Sequence, residues 1–160
     1  MIAVKSGDEL ADILDKALQI ETGFESTSIW EGYIEMKTTE MRDLLFTLSS
    51  ESHEHTKMVE RMLEMIKIES GRKSLPLQDR RFNFANMEER EILNQLLKYD
   101  KLALDLYIGI KESIRESGSS IFVNEGDQDE FFSLLDHIIV DERKHVALIN
   151  TLVGNLERIR

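Results

Sequence analysis

The chain contains no cysteine. Disulfides, iron–sulfur clusters, thiolate zinc sites and a cysteine nucleophile are therefore excluded, and any metal must be held by oxygen and imidazole. Proline occurs once, at Pro76, and glycine only eight times in 160 residues, so few positions can break a helix. No apolar run approaches the roughly 20 residues that cross a bilayer as a helix. Positive charge is scarce: 20 Lys and Arg stand against 31 Asp and Glu, a net charge of −11. Nucleic acid and anionic membrane surfaces are poor partners for such a chain, because both call for basic patches. The stretch Met1 to Asp8 holds no apolar segment of signal-peptide length, which leads us to expect a cytoplasmic protein.

What remains is rich in helix formers. Hydrophobic residues make up 41% and charged residues 32%, a balance that suits one globular domain spanning residues 1–160. Caps and periodicity predict four long helices. The first begins near Ser6, with Glu9 at capping-box spacing, and runs to about Met36. The second begins at Thr38 or Thr39 and stops before Gly71. A loop from Arg72 to Ala85 contains Pro76. The third helix starts at Asn86 and stops before Gly118, and the loop GSSIFVNEG leads to a fourth, from about Asp127 to Leu156. The tight first connection makes helices 1 and 2 antiparallel. The long loop can span about 45 Å when extended, roughly the length of such a helix. The expected fold is thus all-α, an antiparallel four-helix bundle with one long crossover between helices 2 and 3. An internal repeat supports two related hairpins: Ala17–Glu21 resembles Leu96–Asp100, and His53–Leu63 resembles Glu142–Val153.

The inward stripes of these helices carry acid. In helix 4 the stripe reads Phe131, Leu135, Ile138, Glu142, His145, Ile149, Leu152, Leu156. In helix 3 it reads Leu93, Leu96, Asp100, Ala103, Tyr107, Ile110, Ile114. Helix 2 gives Met41, Leu44, Leu48, Glu51, His55, Met58, Met62, and helix 1 gives Leu10, Leu14, Ala17, Glu21, Phe24 before turning polar at Ser28. Ionisable residues therefore sit near the middle of every helix, on the face that should be buried. Four carboxylates cannot all stay ionised in a dry core, because desolvation and repulsion each cost several kcal/mol. They must take up protons or pair with cations. Two divalent ions with two neutral imidazoles nearly balance Glu21, Glu51, Asp100 and Glu142. Glu142 and His145 form Glu-x-x-His, which places both side chains on one helix face. Mixed oxygen and imidazole ligation suits iron or manganese, with zinc an alternative.

These residues resemble those of the ferritin-like superfamily, most closely its rubrerythrin-like di-iron proteins, over about residues 7–157. The superfamily's site takes one Glu from each of two helices and a Glu-x-x-His from each of the other two. The resemblance implies that Glu21 and Asp100 fill the single-carboxylate positions, the latter where the family usually has Glu. Glu142 and His145 match one Glu-x-x-His, and His55 matches the histidine of the other. Ser52 stands where the family has a bridging Glu, and Glu51, one residue away, is the candidate substitute. One, two or no ions per chain all remain compatible with this pattern. The metal-ligand candidates are Glu21, Glu51, His55, Asp100, Glu142 and His145.

Three functions follow as expectations. The first is an oxidoreductase that reduces peroxide or oxygen or oxidises ferrous iron, fed by a separate electron-donor protein. The second is iron storage, and the third a binding or structural protein with a degenerate site and no catalysis. A homodimer is the expected assembly, with Trp30 and Tyr33 as candidate surface residues. Tyr107 is a candidate to hydrogen-bond a ligand or relay an electron. His53 and His137 are expected to have no role, and Glu88–Glu91 is read as a solvated first turn favoured by the helix dipole.

Overall fold

The structure is a computed structural model, describing residues 4–25, 36–69, 84, 87–117 and 119–158. Among these residues it is all-helical: α1 Gly7–Glu25, α2 Thr39–Glu64, α3 Glu89–Ser117 and α4 Asp127–Arg158, with a short 3-10 turn at Ser119–Ile121. No described helix is long and apolar enough to cross a membrane. Trp30, Tyr33, Pro76 and Asn86 lie outside the described residues; α1 ends at Glu25, and Met36, the expected end of helix 1, is buried but not helical.

Local chemistry sets the helix starts. The Ser6 hydroxyl accepts from the Glu9 backbone N–H at 3.2 Å. The Glu9 carboxylate accepts from the Lys5 N–H at 2.8 Å, one residue earlier than a capping box requires. Thr38, in an extended conformation, caps α2 by accepting from the Met41 N–H at 3.3 Å. Asp127 accepts from the Asn124 backbone and side-chain amides at 3.3 and 3.2 Å and opens α4 where expected.

The end of α2 differs from expectation: it stops at Glu64, not just before Gly71. The cause is a competing partner. Beyond Met65 the backbone pairs with the loop preceding α4: Lys67 N–H donates to the Ile121 carbonyl at 2.8 Å and Val123 N–H to the Met65 carbonyl at 2.9 Å. This isolated antiparallel bridge, Ile66 opposite Phe122, buries Met65, Ile66, Ile121 and Phe122 as an apolar plug. Phe122 packs edge-on against Phe131 of α4 at 5.2 Å between ring centres.

α1 packs chiefly on α2, and α3 on α4, with α2 against α4 and α1 against α3 completing the bundle. Residue pairs give the directions. Arg61, near the end of α2, binds Glu130, near the start of α4, while Glu51 meets His145 further along. α2 and α4 are therefore antiparallel. Lys111 pairs with Asp136 while Asp100 lies near Glu142 and His145, so α3 and α4 are antiparallel as well. Gly7 lies against Lys67 and Glu21 against His55, which makes α1 antiparallel to α2. The core between them is apolar at both ends: Leu10, Leu14, Leu48, Met62, Phe131 and Tyr107 are all shut off from solvent. The mid-level of the bundle is where this pattern breaks.

Candidate metal centre

The 3-4 spacing of the stripes brings Glu21 of α1, His55 of α2, Asp100 of α3, and Glu142 and His145 of α4 to that mid-level, each no more than 1% exposed. Two triads form. Glu21, His55 and Glu142 offer ligand atoms within 4.8 Å of one another, and so do Asp100, Glu142 and His145. Glu142 belongs to both, and the two imidazole rings lie 6.1 Å apart. Each triad could hold a cation, with the Glu142 carboxylate between them.

Both histidines have one nitrogen facing in and one facing out. His55 Nδ1 lies 3.3 Å from Glu21 Oε1 and 3.2 Å from Glu142 Oε1, while its Nε2 lies 2.9 Å from Asp141 Oδ2. His145 Nδ1 lies 3.7 Å from Glu142 Oε2, and its Nε2 contacts Glu51 Oε2. An outer carboxylate on the far nitrogen fixes the ring's orientation and leaves the inner nitrogen to serve as a ligand. Tyr107 donates its hydroxyl to Glu21 Oε1 at 2.9 Å.

Glu51, expected among the ligands, belongs to neither triad: it grips His145 from outside and its side chain is 38% exposed. The inward stripe of α2 passes one residue later than the periodicity suggests. Ser52 and Val59 are buried, while Glu51 and Met58 are half-buried. Asp141 was not among the expected residues, yet its signal is present. It precedes His145 by the same spacing as Glu51 precedes His55. His137, expected to be idle, shares the same oxygen of Asp141 at 3.3 Å from its exposed ring.

The electrostatics are those of crowded acid without enough compensation. Burial pushes Glu21 above the ordinary carboxylate range, and Glu142 adds to this. Asp100 is pushed well above its ordinary value, first by burial, then by Glu142 and Glu21. Burial alone would raise Glu142, but His145 and His55 reverse this and hold it at about 2. Burial alone would lower His55, but the carboxylates of Glu142, Glu21 and Asp141 lift it to about 11. His145 is raised for the same reason, against its burial, by Glu142 and Glu51. Tyr107 is kept protonated, its pKa raised well above 10 by burial and by Glu21. Protons on imidazole and on Asp100 thus do here what cations could do.

The unsatisfied atoms tell the same story. Among the described residues, the buried side-chain atoms without a hydrogen bond are Glu21 Oε2, His55 Nδ1, Asp100 Oδ2, Glu142 Oε2 and His145 Nδ1, with Asp8 Oδ1 the sole one elsewhere. Buried polar atoms are nearly always paired, and five orphans aimed into one place fit a bound cation. No family model, curated protein or solved structure matches the chain.

Proposed function

We propose that the chain is a ferritin-like, rubrerythrin-like protein whose core holds two iron ions, manganese or zinc being the alternatives, and that it reduces peroxide or oxygen or oxidises ferrous iron there. The observation that carries this reading is the pair of buried triads sharing Glu142, with unsatisfied ligand atoms from all four helices. Glu21 and His55 would hold one ion, Asp100 and His145 the other, and Glu142 both. Iron supplies a ferrous–ferric couple at such a site. The protein's own part is to orient and to exclude water. Asp141 and Glu51 hold the outer imidazole nitrogens, Tyr107 holds Glu21, and the surrounding apolar side chains keep the carboxylates dry. Electrons arrive from a donor outside these 160 residues, since no cysteine is present to hold an electron-carrying iron. Assembly as a homodimer belongs to this reading, as does a cytoplasmic location.

The ferritin-like connection is supported by the helix starts. The Lys37 N–H, just before α2, donates to the Glu89 carboxylate at the start of α3 at 2.7 Å. Lys37, Met87, Ile92 and Leu156 also line one cavity, so α2 and α3 begin, and α4 ends, at the same end of the bundle. The chain leaving α2 at the far end must return along about 39 Å, the length of a helix of 26 residues, to begin α3.

Metal analysis of protein expressed with iron tests the proposal. Two irons per chain are expected, falling to less than half in Glu142→Ala and His145→Ala with helix content retained, together with loss of peroxide consumption under a supplied reductant. Unchanged metal content in both variants refutes the site. A second reading, a degenerate one-ion or empty protein without catalysis, is favoured by Ser52, 1% exposed where a second bridging carboxylate would stand. One iron per chain, or none, supports it instead.

A further inference from the structure

Three side chains able to bind a cation stand four residues apart on α4: His137, Asp141 and His145. Residues at this spacing lie along one ridge of a helix. Their side chains are 59%, 14% and 1% exposed in that order, so the row descends from solvent into the core. His145 belongs to a buried triad, whereas His137 and Asp141 belong to neither. The two outer members already meet: His137 Nε2 lies 3.3 Å from Asp141 Oδ2. The same oxygen lies 2.9 Å from Nε2 of His55, whose Nδ1 faces Glu21 and Glu142. One carboxylate oxygen is thus shared between an imidazole in water and an imidazole in the core. The matching arm of the centre lacks this extension. There Glu51 meets His145, and the residue four before Glu51 on α2 is Thr47.

We infer that His137 and Asp141 form an outer site for a divalent transition-metal cation, and that ions reach the buried centre through it. Two ligands held about 2.1 Å from one ion stand roughly 3.0–3.4 Å apart. The His137–Asp141 pair has that separation without rearrangement. Imidazole with carboxylate suits iron, cobalt or zinc, and water completes the shell on the exposed side. A carboxylate oxygen has two lone pairs, so Asp141 can bind a cation and still accept from His55. The excess of acid, a net charge of −11, raises the local concentration of cations. A buried site needs an entry path for its ion. The next donor beyond Asp141 is His55, whose inner nitrogen is among the unsatisfied atoms of the centre. The feeding role rests on the two-ion reading given above; the outer site stands without it.

Cobalt(II) is the probe for both steps. The outer site is tested by nuclear magnetic resonance in Glu142→Ala, where the ligand common to both triads is gone; His145→Ala serves where that variant does not fold. The chain has four histidines, and His53, exposed on α2, is the internal control. Substoichiometric cobalt is expected to shift the His137 ring signals at concentrations at least tenfold below those that affect His53. Equal responses at the two rings, or none at His137, overturn the outer site. The feeding role is tested by the rate at which the full chain takes up limiting cobalt. His137→Ala should reach the parent's final content of two ions at least threefold more slowly. His137→Glu, which returns an oxygen donor but cannot donate a hydrogen bond to Asp141, should recover most of the rate. Parental uptake by His137→Ala, or no recovery in His137→Glu, overturns the feeding role. Failure of the parent to take up two ions overturns the two-ion reading and the feeding role with it, while the His137 signals still decide the outer site.

Discussion

Asp100 is a single residue that is costly to the fold and that the proposed function makes a ligand. It sits on α3 between Leu96 and Ala103, both buried, 1% exposed, and one of its oxygens has no partner. Burial first, then Glu142 and Glu21, raises its pKa well above the ordinary 3.8. A carboxyl that holds its proton more tightly when folded loses stability as pH rises above the unfolded value. Asparagine has the same shape and no such titration. Asp100→Asn should therefore unfold a few degrees above the parent in metal-free protein at neutral pH, the gain vanishing towards pH 4. The same variant should bind metal at least tenfold more weakly, because asparagine supplies no charge. Thermal melts with and without a chelator read both effects. A variant destabilised when metal-free would show that Asp100 is a structural residue. Asp100, Glu21, Glu142 and both histidines were legible as isolated polar residues on otherwise apolar stripes. Glu51 reads as inward yet stands outside both triads, because a 3-4 pattern locates a face to within one residue, and Glu51 and Ser52 straddle its edge. Asp141 is not legible in the same way, because it lies off the stripe and meets His55 by reaching across to another helix.

At the scale of elements, the helices were legible because each has an apolar face and a local start signal, as at Ser6, Thr38 and Asp127. Their ends were less so. The end of α2 is decided by pairing with the loop before α4, a contact distant in sequence, and no local residue announces it. That pairing also brings the chain onto the start of α1. A Cβ at Gly7 would collide with the Lys67 carbonyl oxygen and come within 2.9 Å of Ile66 Cγ2. Backbone, unlike a flexible side-chain tip, cannot move aside cheaply. Gly154 offers the comparison: it lies within α4, and a Cβ there meets nothing within 4 Å. Gly7→Ala should cost about 1–3 kcal/mol by overpacking. Gly154→Ala should stabilise by about 0.5–1 kcal/mol through helix propensity. Denaturant melts at constant slope measure both, and equal effects at the two positions would show that Lys67 is not seated against α1.

The whole molecule is a bundle whose ends are apolar and whose waist holds ionisable groups, so its stability must depend on what neutralises them. In metal-free protein, protons do so, and the signs differ by group. His55, raised to about 11, contributes stability that is complete below pH 6.5 and lost as pH rises towards 11, and the raised His145 acts in the same sense. Glu142, lowered to about 2, contributes above pH 4.5 and loses that contribution as pH falls towards 2. Glu21 and Asp100, both raised, become a growing cost as pH rises above their ordinary values of 4.5 and 3.8. The metal-free bundle is therefore most stable in mild acid and weakens towards alkaline pH. On the proposed two-ion reading a bound cation would replace these protons, so its affinity would increase as they are lost. At a free metal concentration a thousandfold above the dissociation constant, loading adds about 4 kcal/mol. Raising the pH should increase that margin while lowering the metal-free baseline. The difference in melting temperature between metal-loaded and chelated protein should thus widen steadily from pH 5 to pH 8. A gap that stays constant over this range would mean that the ions bind somewhere other than among these histidines and carboxylates.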